Sequence, residues 1–229
     1  MPTTNCLICG AELEYFPLPR KMNCAVCGKE YETTAACKEG HFICDACHME
    51  KGIAAIQKFC RESDSKNPVL ILQKIMVQPE IYMHGPEHHV MVGAALLTAY
   101  KNAGGDIDLN KALSEMYARG KQVPGGVCGF WGACGAGISS GIYMSIITKA
   151  NPLATEAWSL SNQMTSRALG KIGANGGPRC CKRDSYLAIM EAADFTKEHF
   201  GIEMELNEVI CSRAHLNNQC LKANCMFNR

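Results

Sequence analysis

From about residue 49 onward the apolar positions recur at helical steps. Ile53, Ile56 and Phe59 mark one helix face and Cys60 continues it. Asn67-Pro68 is a cap followed by proline at the first helical position, and it opens a helix over residues 69–77. Gly85-Pro86 opens another over residues 87–103, which Gly104-Gly105 stops. Asp108 caps a third, running through Arg119. Beyond a glycine-rich passage, helical patterns cover residues 136–149, 153–172 and 181–200, all apolar enough to be buried. No strand alternation of convincing length appears after residue 50. The segment before it carries only short β-prone pieces, Glu14-Tyr15-Phe16 and Glu30-Tyr31-Glu32-Thr33, too few to build a core.

Composition sharpens this division. The chain has 229 residues, of which 47% are hydrophobic and 20% charged, which excludes intrinsic disorder. A net charge of +1 sets up no global field for nucleic acid or anionic lipid. The most apolar stretches, residues 69–77 and 90–100, fall short of the roughly 18 uninterrupted apolar residues of a membrane span. The opening Met1-Pro-Thr-Thr-Asn lacks the pattern of a secretory leader, so a cytoplasmic location is expected. Reduced thiols in that compartment read first as metal ligands, redox groups or nucleophiles. Eight of the fifteen cysteines lie in the first 60 residues. The pattern as a whole predicts a mainly α protein: a small zinc-ribbon-like module with two metal sites at residues 1–48, then an all-α cysteine-rich domain of six or seven helices at residues 49–229.

The module's ligand spacing is specific. Cys6-x2-Cys9 and Cys24-x2-Cys27 are the paired knuckles of a tetrahedral thiolate site. Cys37-x3-His41-x2-Cys44-x2-Cys47 supplies four more ligands, with His48 to spare, so eight ligands imply two structural zinc ions. Spacing leaves the pairing open, sequential or interleaved. Closed sites of this kind fold a segment and do no chemistry. Arg20, Lys21, Lys29 and Lys38 are offset by Glu12, Glu14, Glu30, Glu32 and Glu39, which argues against nucleic acid and leaves a protein as the partner the ribbon would dock.

Three constellations carry the candidate chemistry of the helical domain. His84-Gly-Pro-Glu-His-His89 formally contains an inverted zincin pattern, but proline at the helix start puts His84 outside and Glu87, His88 and His89 in the first turn. His84, Glu87, His88 and His89 are the candidates for moving protons; a capped helix start with exposed histidines is the plainer account. The glycine-rich passage holds Cys128 and Cys134. A thiol at a helix N-terminus is acidified, which makes Cys134 a candidate ligand or nucleophile, with tight packing by small residues the competing account. Gly176-Gly-Pro-Arg-Cys180-Cys181-Lys-Arg-Asp184 enters another helix, and Arg179, Lys182 and Arg183 are expected to depress the pKa of both thiols. Cys211, Cys220 and Cys225 complete the set of candidate cofactor ligands.

Together these motifs, with Cys37-Lys-Glu-Gly-His-Phe-Ile-Cys-Asp-Ala-Cys-His48, resemble over nearly the whole chain a cysteine-rich family of anaerobic microbes, domain of unknown function 5714. Locally the chain is also similar to iron–sulfur L-serine dehydratases and cysteine desulfidases. His84 with Gly85-Pro86, Cys128 before Gly135 to Gly141, and Pro178 followed by Cys180-Cys-Lys-Arg183-Asp184 fall in the order of those lyases' motifs. It departs from them in having no cysteine about a dozen residues before Pro178, and in carrying Asp184 where they have asparagine. The likeness implies a 4Fe–4S cluster whose third ligand comes from Cys134, Cys181 or the tail. The expected function is a metal-dependent, iron–sulfur enzyme of lyase or desulfidase type acting on a small sulfur-containing or hydroxylated molecule. The alternatives are a thiol-redox or sulfur-carrier protein without a cluster, and a zinc-binding regulatory or interaction module.

Overall fold

The computed structural model describes residues 5–228; the opening residues 1–4, read above for a leader, lie outside the described residues. Two antiparallel strands, β1 (Leu13–Asn23) and β2 (Glu30–Cys37), form the only sheet among the described residues. Leu13 pairs with Cys37 and Asn23 with Glu30, while the register slips between Tyr15 and Arg20. Pro17 and Pro19 occupy that slip, where each lacks the N–H a ladder position would use. Apart from cysteines, Phe16 and Ala36 are the only buried apolar side chains ahead of the first helix among the described residues. So little apolar burial cannot offset the entropy of ordering some forty residues, as the sequence implies.

Eight helices follow among the described residues: α1 (Asp45–Glu62), α2 (Pro68–Met76), α3 (His88–Asn102), α4 (Leu109–Gly120), the single turn α5 (Cys128–Trp131), α6 (Gly135–Ile147), α7 (Glu156–Asn175) and α8 (Cys181–Phe200). The expected caps are in place: the Asn67 side chain accepts from the Leu70 amide and the Asp108 side chain from the Lys111 amide. α3 is the central helix, buried from Val90 through Tyr100 and packed on α1, α2, α4, α6 and α8. Cys60 has no exposed surface and sits in this core, as its place on the α1 stripe predicts. The mainly helical class with a cysteine-rich front module is thus the observed architecture.

Two expectations need correction. α1 starts at Asp45, inside the cysteine-rich segment, so that segment's last cysteine, Cys47, rides on the first helix of the body. The helix read over residues 153–172 is also not buried: α7 begins at Glu156 and buries only Met164 and Ala168. Its sequence intersperses serine, threonine, asparagine, glutamine and charged residues among its apolar ones, and only a narrow stripe faces α6 and α8. Arg167 fastens that edge through ion pairs to Glu191 at 2.5 Å and Glu198 at 2.6 Å on α8. After Gly201 the described residues make only two 3-10 helical turns, Ala214–Leu216 and Lys222–Asn224. No helix among the described residues is long and apolar enough to cross a membrane.

Candidate functional site

The front module brings its eight predicted ligands into two groups, each able to hold a metal ion, and the pairing is interleaved. Cys6, Cys9, Cys37 and His41 form one group and Cys24, Cys27, Cys44 and Cys47 the other, with donor atoms in each within 4.8 Å of one another. The hairpin explains the exchange. Cys37 ends β2 opposite Leu13, at the end nearest Cys9, whereas Cys24 and Cys27 form the hairpin's connection. Phe42 then makes a parallel bridge with Cys24 and delivers Cys44 to the second pair. The Cys9 and Cys37 sulfurs are 3.8 Å apart and those of Cys27 and Cys44 3.9 Å. Four thiolates at about 2.3 Å from a tetrahedral ion lie about 3.8 Å from each other, so this spacing suits a single ion.

Between this module and the helices lies a cleft of about 180 Å³. Its helical wall includes His84, His88, His89, Arg179 and Asp184, together with three cysteines, Cys128, Cys134 and Cys181. The front module closes it from above with Tyr15, Ala35 and His41. Two contacts hold the halves in place. The Gly125 amide donates to Asp45 at 2.7 Å, and the Arg179 guanidinium donates to the Tyr15 hydroxyl while lying 5.5 Å from that ring's centre. Gly135, at the start of α6, is where the small-residue motif matters: a Cβ there would stand 2.1 Å from Cδ2 of His89. The same small residues also pack α6 against α3 and α7, so the packing account of this motif holds alongside the functional one.

Burial favours the neutral form of the three histidines of the helical wall, His84, His88 and His89. His84 is pushed down to about 3 by burial, with the charges of Arg179 and Lys182 adding to the effect. Burial likewise takes His88 well below and His89 below the ordinary histidine range. This corrects the picture of exposed groups titrating near neutrality. Both ring nitrogens of His88 are engaged, Nδ1 with the Gly85 carbonyl and Nε2 with the Lys182 ammonium, each at 2.9 Å. His89 instead uses only Nδ1, donating to the Val123 carbonyl at 2.9 Å, which leaves Nε2 as an acceptor. His84 donates through Nε2 to Asn217 at 3.3 Å, and its buried Nδ1 has no partner. Glu87 is fully buried behind the cleft wall, 3.5 Å from Nδ1 of both His48 and His88.

The thiols are likewise driven toward their neutral form, here by an upward shift where acidification was expected. Cys134 does cap α6, but burial and then the Asp184 carboxylate raise its pKa. Burial pushes Cys181 up to about 12 against the opposing Arg179, and raises Cys180. The basic residues expected to acidify the pair are occupied elsewhere. Lys182 is buried against His88 and the Tyr82 carbonyl, and burial lowers it to about 8. Arg183 donates to Asp184 and to the carbonyls of Gly176 and Pro178.

The seven candidate cofactor cysteines do not meet at one place. Cys180, Cys211, Cys220 and Cys225 line a second, small cavity under the C-terminal tail, on the other side of the α8 start from Cys181. Asn217 joins the two, accepting from His84 and donating to the Cys180 sulfur at 3.6 Å.

The model of a family of unknown function, DUF5714, matches residues 56–228. The chain belongs to that family. No curated protein and no solved structure matches it. The DUF5714 stretch contains all seven cleft and tail cysteines and the three histidines of the helical wall, whereas both metal-holding groups of the front module precede it.

Sequence reasoning missed Asp45 and Asn217 as parts of this site, set His48 aside as a spare ligand, and gave Lys182 only the role of acidifying the neighbouring thiols. Lys182 is instead 1% exposed and spent on His88 and the Tyr82 carbonyl, which its place beside the thiols in the sequence does not reveal. Asp45 and Asn217 act across chain separations of 80 and 133 residues, to which no local pattern points.

Proposed function

We propose that this chain is a metal-dependent enzyme of lyase or desulfidase type, acting in the cleft on a small hydroxylated or sulfur-containing anion, with the front module stiffened by two zinc ions. The observation that carries this reading is the convergence of Cys128, Cys134 and Cys181 on one cleft with Arg179, His84 and His89. The donor set fits a 4Fe–4S cluster. Three soft thiolates can hold it, and no three of these thiols lie within the 4.8 Å that ligands of one shared ion would need. Bound there, such a cluster would supply a Lewis acid with a coordination position left open.

The chain's own groups divide the remaining work. Arg179, held by Tyr15, presents a guanidinium for a substrate carboxylate. His89, its tautomer set by Val123, offers Nε2 to take a proton from the substrate carbon while the hydroxyl or thiol leaves with the bonding pair. The tyrosine and the front module limit water above the cleft. The raised pKa of Cys134 and Cys181 favours this reading over thiol exchange, since a buried neutral thiol is a poor nucleophile and a coordinated one is deprotonated by its metal.

Protein isolated without oxygen provides the test. Iron and acid-labile sulfide in near-equal amounts should accompany zinc and fall in Cys128→Ser and Cys134→Ser variants. A panel of β-hydroxy and β-thiol amino acids should yield the corresponding keto acid, with sulfide from the thiols. Protein that carries zinc alone, or iron that both substitutions leave untouched, would overturn the cleft assignment.

A further inference from the structure

The C-terminal tail presents the same problem as the front module. From Gly201 to residue 228 it has no strand or α-helix, and its buried apolar residues are only Met204, Val209 and Phe227. Yet it is held in a defined path: the Cys211 amide donates to the Phe227 carbonyl at 2.7 Å, and Arg213 donates to the Met76 carbonyl at 2.6 Å. Its cysteine turns are built like those of the module. In the module, the Ile8 and Val26 amides each donate back to the sulfur two residues earlier, Cys6 and Cys24, at 3.4 Å. In the tail, the Arg213 amide does so to Cys211 at 3.4 Å and the Lys222 amide to Cys220 at 3.3 Å. These are N–H···S turns that favour the thiolate form.

We infer that Cys180, Cys211, Cys220 and Cys225 are the ligands of a second, closed iron–sulfur cluster that clips the tail to the start of α8. All four line one cavity. No three of their sulfurs come within 4.8 Å of one another, unlike the module's groups, so a single ion at about 2.3 Å from each cannot span them and a multi-iron core can. Charge agrees. Arg183 and Arg213 line the cavity and no carboxylate does, so two cationic side chains border what becomes an anionic centre, the Arg183 guanidinium being itself bonded to Asp184 and to the carbonyls of Gly176 and Pro178. The buried Nε of Arg213 has no partner, and Asn217 already points its amide at the Cys180 sulfur. With four protein ligands no iron is left open to substrate, so this site clips the tail and supplies no Lewis acid to the cleft; it stands whether or not the cleft assignment does.

The test compares three full-length proteins isolated without oxygen: wild type, the cleft variant Cys128→Ser/Cys134→Ser and the tail variant Cys211→Ser/Cys220→Ser. Wild type should carry about twice the iron and sulfide of either variant, with zinc unchanged in all three. Should the cleft assignment alone be wrong, the tail variant loses all its iron and the cleft variant none. A tail variant with full iron, or one that loses zinc instead, overturns the tail site. Alkylation of the unsubstituted protein gives a measurement independent of folding in the variants. Cys180, Cys211, Cys220 and Cys225 should label roughly tenfold more slowly in the isolated protein than after chelation. Equal labelling rates overturn the proposal.

Discussion

Replacing Gly135 by alanine tests how tightly the cleft is built. The added Cβ would stand 2.1 Å from Cδ2 and 2.4 Å from Nε2 of His89, distances no packed pair tolerates. The imidazole cannot swing freely away, because its Nδ1 is tied to the Val123 carbonyl at 2.9 Å. Overpacking of this kind costs about 1–3 kcal/mol, and losing the Val123 bond adds about 0.5–1.5 kcal/mol. The sum, about 1.5–4.5 kcal/mol, lowers the melting temperature of a chain this size by roughly 3–18 °C. Gly170 is the matched control, since it sits exposed in α7 with nothing within 4 Å of an added Cβ. There the same methyl group should stabilise by about 0.5–1 kcal/mol through helix propensity. Differential scanning calorimetry on metal-matched samples reads both. If Gly135→Ala melts with wild type or above it, His89 is not clamped as described and its assignment as the proton acceptor loses its geometric basis.

Acid should expose the neutral histidines. His84 has a folded pKa near 3 against an unfolded value of about 6.5, so below that value the unfolded chain binds the extra proton and stability falls as pH drops. Between pH 7 and pH 5 His84 alone should account for about 2 kcal/mol of that loss, seen as a shallower acid limb in urea titrations of His84→Asn. Its ring resonances should not titrate over the same interval. Chelation should release the front module before the body: amide exchange should rise across β1 and β2 while the α3 core amides, buried from Val90 through Tyr100, stay protected. Cys60→Ala should cost about 1–2 kcal/mol by leaving a cavity beside α3, and should leave every metal content unchanged, which no other cysteine-to-alanine substitution is expected to do.

What the sequence made legible was local. Asn67-Pro68 and Asp108 mark helix starts because a side-chain cap needs only the next three residues, and both caps are found where expected. The eight module ligands are legible for the same reason, since each Cys-x2-Cys pair is one turn. Their pairing is not, because it depends on β1 folding back on β2 and on the Phe42 bridge to Cys24. The histidines and thiols were found by motif, but their protonation was misjudged. Motifs count charges along the chain, whereas burial by α3, α6 and the tail decides which of those charges a group feels. α7 misled in the opposite sense, because its apolar residues recur at helical steps while its neighbours cover only one narrow side.

The vicinal pair Cys180-Cys181 shows why a list of seven ligands had to divide. Cys180 caps α8 and Cys181 opens it, and successive residues on a helix point about 100° apart, so adjacent thiols cannot face one centre. One turns to the tail cavity and the other to the cleft. The divergence continues through the first turn. Lys182 reaches His88, Arg183 the turn carbonyls of Gly176 and Pro178, and Asp184 the Cys134 thiol. Five consecutive residues therefore serve five different neighbours, and the start of α8 is the one element common to both cysteine groups. A substitution there disturbs both at once and assigns nothing. Those that separate the two sites lie away from it, at Cys128 and Cys134 for the cleft and at Cys211, Cys220 and Cys225 for the tail.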